Sequence, residues 1–163
     1  MSRKLNAMGL HSALGKDDRV FQLSMKLKSK NDPLIPTMQH AAKYLILSVN
    51  TIRSYPRHEQ SDFSLYDLER EKWYGNSSLS EKQLHEQLLH GITHHLDRAI
   101  VDGKVLTLAS AESCLDVPKD LIRESVRYGK LDIYDDEYDK WLIHSGVSEQ
   151  EAIDRIMNYV QNA

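Results

Sequence analysis

The residues of this 163-residue chain with the clearest capacity for chemistry are its histidines. His85, His90, His94 and His95 fall in one stretch, with His90 and His94 one helical turn apart and Glu86 another turn back. That is the spacing at which imidazoles and a carboxylate on one helix face hold a divalent metal. A metalloprotease helix needs Glu directly after the first His, whereas Gly91 follows His90, and no obvious third ligand is at hand. The histidines are therefore expected on a solvated face or near a subunit contact, where they would add pH sensitivity. Gly9 to Gly15-Lys16 has the outline of a phosphate-binding loop, but the spacing is one residue too long and Asp17 stands where Ser or Thr would hold magnesium. Cys114 falls at a helix-packing position and is expected to be a buried structural thiol. Asp135-Asp136-Glu137 is expected to open a helix, where carboxylates favour the positive end of the dipole. With no catalytic constellation, metal set or cofactor motif, the chain is expected not to be an enzyme.

The remaining chemistry is charge. Residues 1–60 carry 10 Lys and Arg against 4 Asp and Glu, leaving 11 against 20 for residues 61–163, so a net charge of -3 conceals two halves of opposite sign. A basic first third suits phosphate neutralisation, and the acidic remainder would repel the same polyanion. Hydrophobic residues make up 40% of the chain, with 7 Gly and 4 Pro, enough for a folded core and too little punctuation for a disordered chain. A single cysteine forbids an internal disulfide and points to a reducing compartment. No apolar run is long enough to cross a bilayer and the N-terminus lacks a signal-peptide core, so a soluble, cytoplasmic protein with no membrane partner is expected.

The elements that must position these residues occur twice. Thr37-Met-Gln-His-Ala-Ala-Lys-Tyr-Leu-Ile-Leu-Ser-Val-Asn-Thr-Ile-Arg53 aligns without gaps on Thr107-Leu-Ala-Ser-Ala-Glu-Ser-Cys-Leu-Asp-Val-Pro-Lys-Asp-Leu-Ile-Arg123. Leu65-Tyr-Asp-Leu-Glu-Arg-Glu-Lys-Trp73 then aligns on Ile133-Tyr-Asp-Asp-Glu-Tyr-Asp-Lys-Trp141, and Ser80-Glu81 on Ser148-Glu149. Each copy predicts a short helix facing inward through Ala41, Ala42 and Leu45 or Ala111 and Leu115. A tight turn follows, then a second helix with Ser48 as cap and Ile52 inward, or with Pro118 at its start. A polar stretch ending in Phe63 or Ile133 is expected to form a small hairpin or an extended wing, and the Tyr-Asp-x-Glu segment a helix anchored by Trp73 or Trp141. An amphipathic helix, Ser80–Ile100 or Ser148–Val160, closes each copy. The domains expected are a basic N-terminal arm (1–35), a first unit (36–98) and a second (106–163). Within the arm, Phe21, Leu23, Met25 and Leu27 alternate with polar residues as in a strand, although the residues themselves are helix formers.

This order of elements resembles the winged helix-turn-helix of the excisionase and MerR-like DNA-binding proteins, best in Thr37–Arg53 and again through Leu106-Thr, Leu121-Ile-Arg and Tyr128-Gly-Lys-Leu131. Phe63-Ser-Leu-Tyr-Asp-Leu-Glu69 with Lys72-Trp-Tyr74 is similar, more weakly, to a segment of phage small terminase subunits. The resemblance implies a mainly α fold of two tandem winged helix-turn-helix-like units with short β wings. It also implies a sequence-specific double-stranded-DNA-binding protein, oligomeric, acting as a regulator, recombination directionality factor or packaging factor of a phage or mobile element. On that reading the helix around Ser48–Tyr55 enters the major groove. Asn50 would bond an adenine edge and Arg53 a guanine edge, Arg57 and His58 would lie on the wing side, and Lys43, Ser48 and Thr51 would hold phosphates. In the second copy Lys119, Arg123, Arg127 and Lys130 would form the basic edge. The structural alternatives are an N-cap for Ser48, a solvent-facing amide for Asn50 and an ion-pair role for Arg53, which recurs as Arg123. Asp116, Asp120, Glu124, Asp132, Asp135 and Asp136 fit instead a non-enzymatic adaptor or inhibitor whose second unit docks a protein.

Overall fold

The computed structural model describes residues 15–128, 131–143 and 146–162, and the side chains of residues 159–162 are not among those described. The described chain is mainly helical with two small antiparallel hairpins. It divides into two compact units, residues 1–84 and 85–163. No helix among the described residues is long and apolar enough to cross a membrane.

The first unit begins with α1 (Lys16–Leu27), which buries Val20, Leu23 and Ser24 at helical spacing. The alternation across residues 21–28 is therefore not a strand. Phe21, Leu23 and Met25 would share one face of a strand, yet Leu23 is wholly buried while Phe21 is 64% and Met25 55% exposed. The described part of the basic segment is thus a helix packed on the core, and residues 1–14 of the expected arm lie outside the described residues.

Two short helices follow, α2 (Met38–Leu45) and α3 (Val49–Ile52), each entered through a hydroxyl cap: Thr37 accepts from the His40 N–H and Ser48 from the Thr51 N–H. The second helix is one turn long rather than reaching Tyr55, and a 3-10 turn, Tyr55–Arg57, continues it. Met38, Ala41, Leu45 and Ile52 meet Val20, Leu23 and Leu65 in one core. Between α2 and α3 the chain turns at Ile46 in the left-handed region, φ 58°. A β-branched residue there is strained by roughly 1–2 kcal/mol, and the Ile46 side chain recovers little of that, being 58% exposed. Ile46→Gly is expected to stabilise the protein by about 1 kcal/mol, read as a higher urea midpoint with an unchanged slope. An unchanged or lowered midpoint would show that Ile46 contributes packing that outweighs the strain.

A hairpin closes the unit, β1 (Ser64–Asp67) against β2 (Lys72–Gly75). The Tyr-Asp-x-Glu segment, expected as a helix, is this hairpin's first strand and turn. Asp67 decides the matter: its Oδ1 accepts from the backbone N–H groups of Glu69 and Arg70 at 3.1 and 3.2 Å, which bends the chain locally in place of helical bonding. Trp73 is accordingly half-buried on the hairpin, with its ring 5.1 Å from that of Tyr66 across the strands, rather than anchoring a core. The hairpin ends on Gly75, where a Cβ would stand 2.3 Å from the Ser64 Cα.

The second unit repeats this plan. Helix α4 (Glu81–Val101) runs across the division, and from His85 onward it groups with the second unit, so the boundary falls before His85 rather than after Arg98. Its Thr93 hydroxyl donates to the Leu89 and Ser125 carbonyls, fastening the helix to the rest of that unit. Helices α5 (Leu108–Leu115) and α6 (Lys119–Ser125) come next, with Thr107 capping the first, Asp116 left-handed at φ 59° and Ile122 wholly buried. Pro118 occupies the cap position just before α6. Cys114 is exposed, contrary to expectation, because the inward face of α5 runs through Leu108, Ala111 and Leu115 and passes it by. The hairpin β3 (Asp132–Asp135) and β4 (Lys140–Ile143) keeps the register of the first, and Asp135 Oδ1 again accepts from two turn N–H groups, those of Glu137 and Tyr138 at 3.1 Å each. Asp135-Asp136-Glu137 therefore opens a hairpin turn and not a helix. The amphipathic α7 (Glu149–Asn162) ends the described chain, with Ala152 buried.

Acid sensitivity follows from these turns. The Asp135 carboxyl is held below the usual carboxylate value chiefly by Arg123, against the effect of burial. For Asp67 burial is the largest influence and pushes upward, but Arg53, the Arg70 N–H and Gln39 together outweigh it and bring the value down. Asp62 is lowered by Lys28 and Ser24. A folded pKa below the unfolded one, about 3.9, stabilises the fold at every pH above that value and ceases to do so as pH falls through the folded pKa. The urea midpoint should therefore stay level from neutrality to about pH 5 and fall steeply below about pH 4. A midpoint that rose on acidification would contradict these assignments.

Candidate nucleic-acid interface

A cleft of about 390 Å³ opens in the first unit, lined by Lys16, Asn50, Arg53, Ser54, Arg57, His58, Arg70 and Tyr74. Three pieces of chain build it. Helix α1 brings Lys16 to its rim, and the bond from His58 Nε2 to Asp17 Oδ1 ties that helix to the segment after α3. Helix α3 and the 3-10 turn supply Asn50, Arg53, Ser54, Arg57 and His58. The hairpin supplies Arg70 from its turn and Tyr74 from β2.

One guanidinium joins the last two of these pieces. Arg53 donates through Nε to Asp67 at 3.1 Å, through Nη2 to Glu69 and through Nη1 to the Asn50 amide oxygen. The Asp67 side chain is entirely buried, and its bond to Arg53, with that of Glu69 next, holds the Arg53 pKa above the ordinary arginine value. Gln39 adds a second tie from α2, its Oε1 accepting from the Leu68 N–H at 3.2 Å. Arg53 thus fixes α3 against the hairpin, and its charge is answered within the protein.

The other cations are not answered. Among the described residues Lys16, Arg57, Arg70 and Lys72 form no ion pair with a carboxylate. Three of them surround Tyr74: Arg70 Nη1 lies 3.4 Å from its hydroxyl, Lys72 Nζ 4.9 Å from its ring centre and Arg57 5.8 Å from it. Arg70 first, and Lys72 after it, hold the Tyr74 phenol below its usual pKa. Several uncompensated cations around one concavity repel one another and are relieved by an anion.

The expected site residues divide clearly. Asn50, Arg53, Arg57 and His58 come together in the cleft, whereas Lys43 is exposed on α2 and Thr51 on α3, and neither lines it. Ser48 is the cap of α3. In the second unit Arg123 has the same ties as Arg53, to Asp135 at 2.8 Å, Glu137 at 2.8 Å and Asp120 at 2.9 Å, with Tyr138 stacked 4.5 Å from its centre. Lys119 Nζ is 3.8 Å from Glu137, Arg127 is exposed, and Lys130 lies outside the described residues. Where the first unit has Asn50, Ser54, Arg70 and Tyr74, the second has Asp120, Glu124, Tyr138 and Leu142, so Arg70 has no cationic counterpart, while Arg57 recurs as Arg127 beside added carboxylates. By unit, residues 1–84 carry 13 Lys and Arg against 9 Asp and Glu, and residues 85–163 carry 8 against 15.

Comparison of the chain with protein-family models, curated proteins and solved structures finds no match. The chemistry of the site therefore carries the functional reading.

The histidine stretch does not gather into a ligand set: among the described residues no three His, Cys, Asp or Glu side chains converge on one metal position. His85 Nε2 instead bonds Glu124 at 2.9 Å, and the His90 ring meets that of Tyr128 edge-on at 5.6 Å. Ser54, Arg70 and Tyr74 are not among the expected site residues, and Lys16 is expected only as one of the cations of the basic first third. A period-2 reading of Lys72-Trp-Tyr74 would have placed Lys72 and Tyr74 on one strand face and Trp73 on the other.

Proposed function

We propose that the chain is a double-stranded-DNA-binding protein without enzymatic activity, its two units being winged helix-turn-helix-like modules of which the first carries the DNA contact. The observation that supports this most is the cleft beside α3, lined by Lys16, Arg57 and Arg70, which have no carboxylate partner among the described residues. Phosphates laid along it would release their counterions, and the exposed Asn50 on α3 would face base edges. A one-turn reading helix buries little surface, so self-association would supply a second half-site. A regulator, a recombination directionality factor or a packaging factor of a phage or mobile element fits this arrangement, with a cytoplasmic setting.

The exposed acidic and aromatic side chains at the matching face of the second unit, Asp120, Glu137 and Tyr138, favour a second reading for that unit alone, docking of a basic protein surface. Titration of fluorescent duplexes with the full chain at increasing salt tests both. The proposal expects binding that weakens linearly in log–log form as salt rises. Absence of binding at low salt would leave the protein-adaptor reading in its place.

A further inference from the structure

Resting on the DNA reading above, the geometry points to Asn50 as a reader of the major groove that works chiefly through its NH2 donors, selecting guanine where the residue type by itself suggests adenine. An amide reads adenine by using both its ends, the oxygen accepting from N6–H and the nitrogen donating to N7. Here the oxygen already accepts from Arg53, which takes one of its two lone pairs and turns that end of the amide toward the guanidinium. Arg53 has donors and no acceptors, so the Asn50 atom facing its Nη1 must be the carbonyl oxygen, and the amide cannot be turned over without setting two donors against each other.

Arg53 cannot move aside to release that oxygen. Its Nε is held by the buried Asp67 and its Nη2 by Glu69, so the fork is fixed on two sides apart from Asn50. The group that Asn50 turns outward is then its NH2. Guanine presents two adjacent acceptors in the major groove, N7 and O6. Adenine sets its own N6–H beside N7, thymine offers O4 beside a methyl, and cytosine offers a donor. An amide with both N–H donors free and its oxygen turned toward Arg53 therefore ranks guanine first.

The second unit holds the same position in the same way with the opposite chemistry. Arg123 Nη1 donates to Asp120 Oδ1 at 2.9 Å, and the Asp120 side chain is 92% exposed. Its remaining oxygen presents an acceptor and a negative charge. The arginine lock is thus common to both units, and the residue it orients decides what each face offers.

The test is selection from a pool of randomised duplexes with the full chain, wild type against Asn50→Ala, Asn50→Asp and Arg53→Lys, each checked by its melting transition. The wild type is expected to enrich a motif in which one guanine loses about tenfold of its preference in Asn50→Ala. Asn50→Asp is expected to reject that guanine. Arg53→Lys keeps a charge for Asp67 but has no fork to hold the amide, so adenine should gain at that position. An adenine there in the wild type, or a motif untouched by Asn50→Ala, overturns the inference while DNA binding stands. If Arg53→Lys does not fold, the two Asn50 variants still decide it. Enrichment of no duplex at low salt overturns the DNA reading itself.

Discussion

Replacing Arg57 and Arg70 together by alanine is expected to lower the affinity of the full chain for duplex DNA by about 10- to 100-fold at moderate salt and to flatten the salt dependence by nearly two phosphate equivalents. Both side chains border the cleft, neither is paired with a carboxylate among the described residues, and both sit at Tyr74. Nothing in the core depends on them, since each is exposed, so the melting transition should scarcely move. The comparison variant is Arg127→Ala, the residue matching Arg57 in the second unit, whose neighbours include Glu124 and Tyr128. Its affinity should stay within about twofold of the wild type. Equal losses from the two units would mean that the charge difference between them is irrelevant to binding.

Asp67→Ala should cost the most stability of any single polar substitution in the first unit, about 3 kcal/mol. The carboxylate is wholly buried, and its removal strands the Arg53 guanidinium, two backbone N–H groups of the hairpin turn and the Gln39 amide at once. The hairpin would lose the turn that replaces a helix there, and α3 would lose its tie to it. Urea unfolding followed by tryptophan fluorescence, which reports Trp73 in this hairpin and Trp141 in the other, measures the loss. Asp135→Ala should act alike in the second unit, where Arg123 takes the place of Arg53. A loss below about 1 kcal/mol in both would show that the turns are held by strand pairing alone.

The parts of this structure that could be read in the sequence are those written in local terms. Thr37, Thr107 and Ser48 are caps one residue before an apolar helical period, and the period itself gives Ala41, Leu45 and Ile52 their inward direction. The hairpins were hidden because Glu69-Arg70-Glu71-Lys72 are good helix formers and the turn carries no Gly or Asn-Gly. Its bend comes from a carboxylate whose partner, Arg53, is fourteen positions away in sequence. Helix α1 was obscured by an accidental alternation, which the core resolved by taking Val20 and Leu23 and leaving Phe21 outside. The cleft was half visible for the same reason. Asn50, Arg53, Arg57 and His58 lie in one short run, whereas Lys16, Arg70 and Tyr74 reach it only through tertiary packing. Charge counting shows which half of the chain is basic, but not that Arg53 is neutralised by Asp67 and Glu69 whereas Arg57 and Arg70 form no ion pair among the described residues.

The most direct measurement is a heteronuclear NMR titration of the full chain with a short duplex at low salt, following backbone amides and arginine side-chain resonances. The account predicts that shifts gather at residues 48–58 and 68–75 and at the Arg57 and Arg70 guanidinium groups, with the matching positions of the second unit, 118–128 and 136–143, left still. Shifts confined to those second-unit positions, or none at low salt, would contradict it.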